Sequence, residues 1–124
     1  MSVVKIYLKL ADGGLEYRDS EGHHGKTITT HLKPGSKIIW KLDRHSRISE
    51  IKNITLKGDD AILKEKPVKL DFDHWEAIGA GSGEGELAYI VEVEKCRECV
   101  DAEVIGSQEI KDPQRPLLRM PWFL

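Results

Sequence analysis

Apolar and polar residues alternate with a period of two along most of the chain. In residues 3–11, Val4, Ile6, Leu8 and Leu10 alternate with Lys5, Tyr7 and Lys9, which predicts a half-buried strand. Asp12-Gly13-Gly14 is a turn signal, and Leu15–Arg18 reads as the returning strand of a hairpin. Residues 19–25, DSEGHHG, form a polar tip, after which Thr27–Leu32 sets Ile28, Thr30 and Leu32 on one face. Lys33–Leu56 carries the strongest pattern. Pro34-Gly35 makes a turn, and Ile38, Trp40 and Leu42 then alternate with Lys37, Ile39 and Lys41. A polar corner follows at Asp43-Arg44-His45-Ser46-Arg47, and apolar residues return at Ile48, Ile51, Ile54 and Leu56.

Beyond this stretch the pattern weakens. Lys57-Gly58-Asp59-Asp60 is a turn, and the charges and proline of Ala61–Val68 fit an edge strand or a short helical turn. Leu70-Asp71-Phe72 and Trp75–Ile78 bracket a polar crossing at Asp73-His74. Gly79–Gly85, GAGSGEG, reads as a hairpin loop. Glu86–Glu94 is the second strong strand, with Leu87, Tyr89, Val91 and Val93 on one face. Pro113, Pro116 and Pro121 keep the tail out of helix. These elements predict an all-β fold of about seven or eight short strands, with a β-sandwich over residues 1–112 and an apolar tail over 113–124.

Composition narrows the function classes. A chain of 124 residues is one domain, large enough to fold without a disulfide or a metal. Its 19 Lys+Arg nearly balance 21 Asp+Glu, and a net charge of −2 offers no general attraction to nucleic acid or to anionic membrane. No apolar run approaches the roughly 20 residues of a membrane span. The start, MSVVKIYLKL, alternates where a signal peptide would be continuously apolar, so the chain reads as cytoplasmic, with both cysteines as thiols.

Few residues carry chemistry. The glycine loop lacks G-x-G-x-x-G and leads into a strand, so it offers no helix N-terminus to a phosphate. Asp71, Asp73 and Glu76 around His74 could hold a cation, but alternation puts Asp71 and Asp73 together on a solvent face. His23-His24 reads as loop decoration, and Asn53-Ile54-Thr55 is a glycosylation sequon that matters only in an exported protein. Cys96-Arg97-Glu98-Cys99 fits two plain thiols beside a turn, half of a metal site, or a redox couple. A metal site there would need another ligand, and His45 is the candidate, giving a Cys96, Cys99 and His45 set for zinc or copper. No nucleophile–base pair stands out, so the reading leans away from an enzyme.

The Trp40 and Tyr89 strands together resemble the cupredoxin fold, the β-sandwich of the blue-copper proteins. Pro34-Gly35, Ile38, Trp40, Asp43 and His45 match its turn, V-x-W strand and Asn/Asp corner with the copper-ligating His. Gly85, Leu87 and Tyr89 follow the frame of its G-x-Y-x-Y-x-C motif, but Val91 stands in the Cys position, and Glu92–Lys95 supply no His or Met ligand. The resemblance implies a Greek-key sandwich without a type 1 copper site, because that centre needs a thiolate beside two imidazoles. The expected function is a non-catalytic binding or interaction module without a resident cofactor. Alternatives are a cytosolic metal-binding protein using Cys96, Cys99 and His45, and an immunoglobulin-like interaction domain with Trp40 as its core tryptophan. Leu117, Leu118, Met120, Trp122, Phe123 and Leu124 must dock on protein. They are expected either to close the sandwich, with Leu117–Met120 added to a sheet at an edge position and Trp122–Leu124 folded over the opening, or to pair with a second copy in a homodimer.

Overall fold

The computed structural model describes residues 2–11, 14–58, 61–82, 85–95, 109–111 and 116–120, with Glu109–Lys111 and Met120 by their backbone alone. Every regular element among them is a strand, and no helix among them is long and apolar enough to cross a membrane. The strands are β1 (Val3–Ala11), β2 (Gly14–Asp19), β3 (His24–Gly25), β4 (Thr29–His31), β5 (Lys37–Leu42), β6 (Ile48–Lys57), β7 (Leu63–Asp71), β8 (His74–Gly79), β9 (Gly85–Lys95), β10 (Glu109–Lys111) and β11 (Leu117–Met120).

Two mixed sheets result. The first runs β3-β2-β1-β5-β8-β7, with β1 and β5 parallel and the other pairs antiparallel. The second is built on β9, which pairs antiparallel with β6, β10 and β11, and β11 pairs in parallel with β4. The alternating residues of each sheet turn inward. Val4, Ile6 and Leu8 of β1, Tyr17 of β2 and Ile38 and Trp40 of β5 come from the first sheet. Ile51 and Ile54 of β6, Leu87, Tyr89, Val91 and Val93 of β9, and Leu118 of β11 come from the second. Trp40, fully buried, meets Tyr89 edge-on with ring centroids 5.5 Å apart, and Tyr17 meets the same tyrosine at 6.4 Å. Aromatic contacts between sheets thus hold the centre of this sandwich-like core.

β6 shows why spacing alone is an incomplete guide. Ile48, Ile51 and Ile54 lie three apart, a spacing that would turn the middle one outward in an unbroken strand. Against β9 the register shifts between Ile48 and Glu50 and again between Ile51 and Asn53. Each bulge sets two residues opposite one, so all three isoleucines face inward and are buried.

Several expectations need correction. The described residues form eleven strands where about seven or eight were expected, because the polar tip contributes the two-residue β3 and the short strands β10 and β11 are added late in the chain. Of the two alternatives for the 61–68 stretch, the edge strand holds from Leu63 on; among the described residues β7 pairs only with β8, with register shifts around Pro67. Phe72-Asp73 is the turn of the β7–β8 hairpin, so Asp73 shares no strand face with Asp71. Gly79–Gly85 does not close a hairpin. β8 has β5 and β7 on its two sides, so the chain leaves for the other sheet and becomes β9.

In the tail, Leu117–Met120 does add to a sheet, but in place of an edge position it lies between β9 and β4. Pro116 stands just before the strand, where its missing N–H costs no ladder bond, and its carbonyl accepts from Tyr89 N at 3.1 Å. Leu117 N donates to Ile28 O at 2.9 Å, and Leu118 is fully buried. Residues assigned to a tail from 113 onward therefore supply an interior strand of the sandwich. Leu118 is spent on its own core and is closed to a second copy. Deleting residues 117–124 should abolish the cooperative thermal transition seen by circular dichroism, since it leaves β4 and the Gly85–Leu87 end of β9 without a strand partner among the described residues. A truncated protein melting at the parental temperature would refute this placement.

Candidate metal centre

The inward face of β2 reads Leu15, Tyr17, Asp19, so alternation delivers a carboxylate to a place that otherwise takes an apolar side chain. Asp19 is 2% exposed and is tolerated there only because its oxygens are satisfied. Its Oδ1 accepts from the backbone N–H of Glu21 at 3.0 Å and of His23 at 2.9 Å, folding DSEGH into a tight turn. Gly22 supplies the φ of 100° that this turn requires. Its Oδ2 accepts from Thr30 Oγ1 at 2.7 Å and from His23 Nδ1 at 2.9 Å. Thr30 belongs to β4, so this carboxylate ties one sheet to the other.

The electrostatics follow. Burial pushes the Asp19 carboxyl up, but the hydrogen bonds from Thr30 and His23 outweigh it and hold it below the usual carboxylate range. The hydrogen bond to Asp19 raises the His23 imidazole above its ordinary value, with burial opposing. An ionised carboxylate can only accept, so Nδ1 of His23 carries the proton, and in the neutral ring Nε2 is left with a free lone pair.

Two further side chains converge on that imidazole. Glu21 Oε1 accepts from His31 N at 2.8 Å and lies 3.7 Å from Nδ1 of both His23 and His31. The two imidazoles are tilted by 51° with centroids 5.6 Å apart. One donor atom from each of Glu21, His23 and His31 falls within 4.8 Å of the others. Ligands at 2.0–2.1 Å around a tetrahedral ion stand about 3.3 Å apart, so closure needs inward movement of up to about 1.5 Å. The histidine side chains, 41% and 42% exposed, have room to make it. A carboxylate behind one ligating histidine, fixing its tautomer, is the usual support of such sites.

The residues expected from the sequence fare differently. Among the described residues this is the one group able to hold a metal, and His45 is outside it. His45 is exposed at the β5–β6 corner with φ 53°. Cys96 and Cys99 lie outside the described residues, as do Trp122, Phe123 and Leu124. Leu117 is half-buried and Leu118 fully buried in β11, and Met120 ends that strand. The Asp71–Glu76 acids are used locally. His74 Nε2 pairs with Glu76 at 2.8 Å, Lys37 with Glu76 at 3.4 Å, and Asp71 caps the N–H of Phe72 at 2.8 Å. His23, set aside as decoration, is the residue the sequence reading undervalued. The available signal was Asp19 on the inward phase of β2, four residues before an imidazole.

No known protein family has a model that matches this chain, and no curated protein matches it. Among solved structures it is similar to the inclusion body protein PixA of Burkholderia cenocepacia J2315, with a TM-score of 0.51 and 9% identity over 96% of this chain and 93% of that one. At that identity the likeness concerns the fold.

Proposed function

We propose that this protein is a non-catalytic, cupredoxin-like Greek-key β-sandwich that binds a divalent transition metal through Glu21, His23 and His31. The observation that carries the metal reading is the convergence of one donor atom each from Glu21, His23 and His31 within 4.8 Å, backed by the buried Asp19 carboxylate, which accepts from His23 Nδ1 at 2.9 Å and so reserves Nε2 of that ring for a ligand role. Two imidazoles and a carboxylate form a donor set suited to zinc, with copper(II) the nearest competitor. The cupredoxin-like reading is supported by Trp40 and Tyr89. The two strands that carry the resemblance meet ring to ring across the sheets, and the corner after β5 leads into the opposite sheet.

The site also predicts a stabilising role. Glu21 and His23 belong to the β2–β3 turn of one sheet and His31 to β4 of the other, so an ion closes a clasp between sheets. Free zinc at a hundred times Kd should stabilise the fold by about 2.7 kcal/mol. Calorimetric titration of untagged protein should give one zinc per chain, with the heat lost in a His23→Ala/His31→Ala variant and kept in Cys96→Ser/Cys99→Ser. The reverse outcome would move the metal to the cysteines and sink the reading.

A further inference from the structure

The proposed ion would have three protein ligands, and the space beside it has a definite character. Glu21 and His31 also line a groove of about 220 Å³ whose other walls are Ser2, Val3, Val4, Ser20, Lys33 and Ser36. That volume is below the roughly 300 Å³ at which drug-sized ligands begin to fit, so the guest must be small. Hydrogen-bond accounting narrows it further. Ser36 Oγ donates to Lys33 O at 2.6 Å, so its proton is committed, and in the 2.8 Å pair with Ser2 it must accept. Ser20 Oγ accepts from Lys5 N at 3.1 Å, which leaves its hydroxyl proton to donate. The donors offered to a guest are therefore the Ser20 hydroxyl and the Lys33 ammonium.

Charge points the same way. A divalent ion with the Glu21 carboxylate, two neutral imidazoles and the Asp19 carboxylate behind His23 is neutral overall, and Lys33 on the groove wall supplies the net positive charge. A site of this kind, with a position unfilled by protein, favours an anionic ligand. We propose that the open position of the Glu21, His23 and His31 centre takes a small carboxylate, held on the groove side by Lys33 and Ser20. The inference rests on the metal reading above and goes beyond it by giving the ion a ligand to recognise.

The two can fail separately. Cobalt(II) titrated into the protein should produce visible d–d absorption if the metal centre forms. Acetate should then shift those bands with saturable, millimolar dependence, and the neutral isostere acetamide should leave them unchanged. Lys33→Gln, at an exposed position, should weaken the acetate effect about two- to fivefold, the worth of one solvent-screened charge. Bands that ignore acetate, respond equally to acetamide, or respond identically in Lys33→Gln overturn this inference and leave the metal centre standing. Absence of cobalt bands overturns both.

Discussion

Trp40→Ala should destabilise the protein by about 3–5 kcal/mol, the range for emptying a fully buried aromatic position. For a chain of this length that corresponds to a fall of about 10–20 °C in Tm. The indole sits on β5, which has β1 on one side and β8 on the other, and it meets Tyr89 of the opposite sheet. The cavity would therefore open between the two sheets, where neither can collapse into it without breaking its own ladder. Trp40→Phe keeps a ring opposite Tyr89 and should lose much less. Phe72, at the β7–β8 turn, is 51% exposed, and Phe72→Ala should stay within about 0.5 kcal/mol. Urea melts of the three variants decide the matter. A Trp40→Ala loss no larger than that of Phe72→Ala would remove the centre of the proposed core.

The legible parts of this fold are those where period-two alternation runs unbroken. β1, β5 and β9 have their apolar sets at Val4, Ile6 and Leu8, at Ile38 and Trp40, and at Leu87, Tyr89, Val91 and Val93, all buried, while Leu10 and Leu42 at the strand ends are partly buried against the same core. The illegible parts have physical causes. In β6 two bulges reset the phase, so the spacing of Ile48, Ile51 and Ile54 matches neither a plain strand nor a helix period. In β7 the lysines and Pro67 that guard an open edge also erase the alternation that would mark a strand. The Gly79–Gly85 loop looks like a hairpin locally, and only the occupied sides of β8 send it across to the other sheet. The site was least legible of all. Asp19 and His23 are neighbours in sequence, but His31 joins them through β4, whose place depends on β11 from the far end of the chain.

Asp19→Ala should act on stability and on metal binding together. Four donors point at this carboxylate: the N–H groups of Glu21 and His23, Nδ1 of His23, and the Thr30 hydroxyl. Alanine leaves the buried Thr30 hydroxyl facing an apolar gap and releases the turn that positions both Glu21 and His23. A loss of about 2–4 kcal/mol is expected, since hydrogen bonds to a charged group are worth more than neutral ones. Zinc affinity should fall about 10–100-fold, the usual cost of removing the carboxylate behind a ligating histidine. Asp19→Asn separates the two effects, because the amide preserves shape and part of the turn but cannot supply the charge. Acidity gives an independent readout. Asp19 is held below the usual carboxylate range, so its contribution is present above the pKa of the unfolded chain and is lost as pH falls through its folded value. The metal-free parent should therefore lose stability below about pH 4 more steeply than Asp19→Asn does. Equal acid limbs in the two proteins, or unchanged zinc affinity in Asp19→Asn, would show that the carboxylate is a turn residue with no hold on the imidazole.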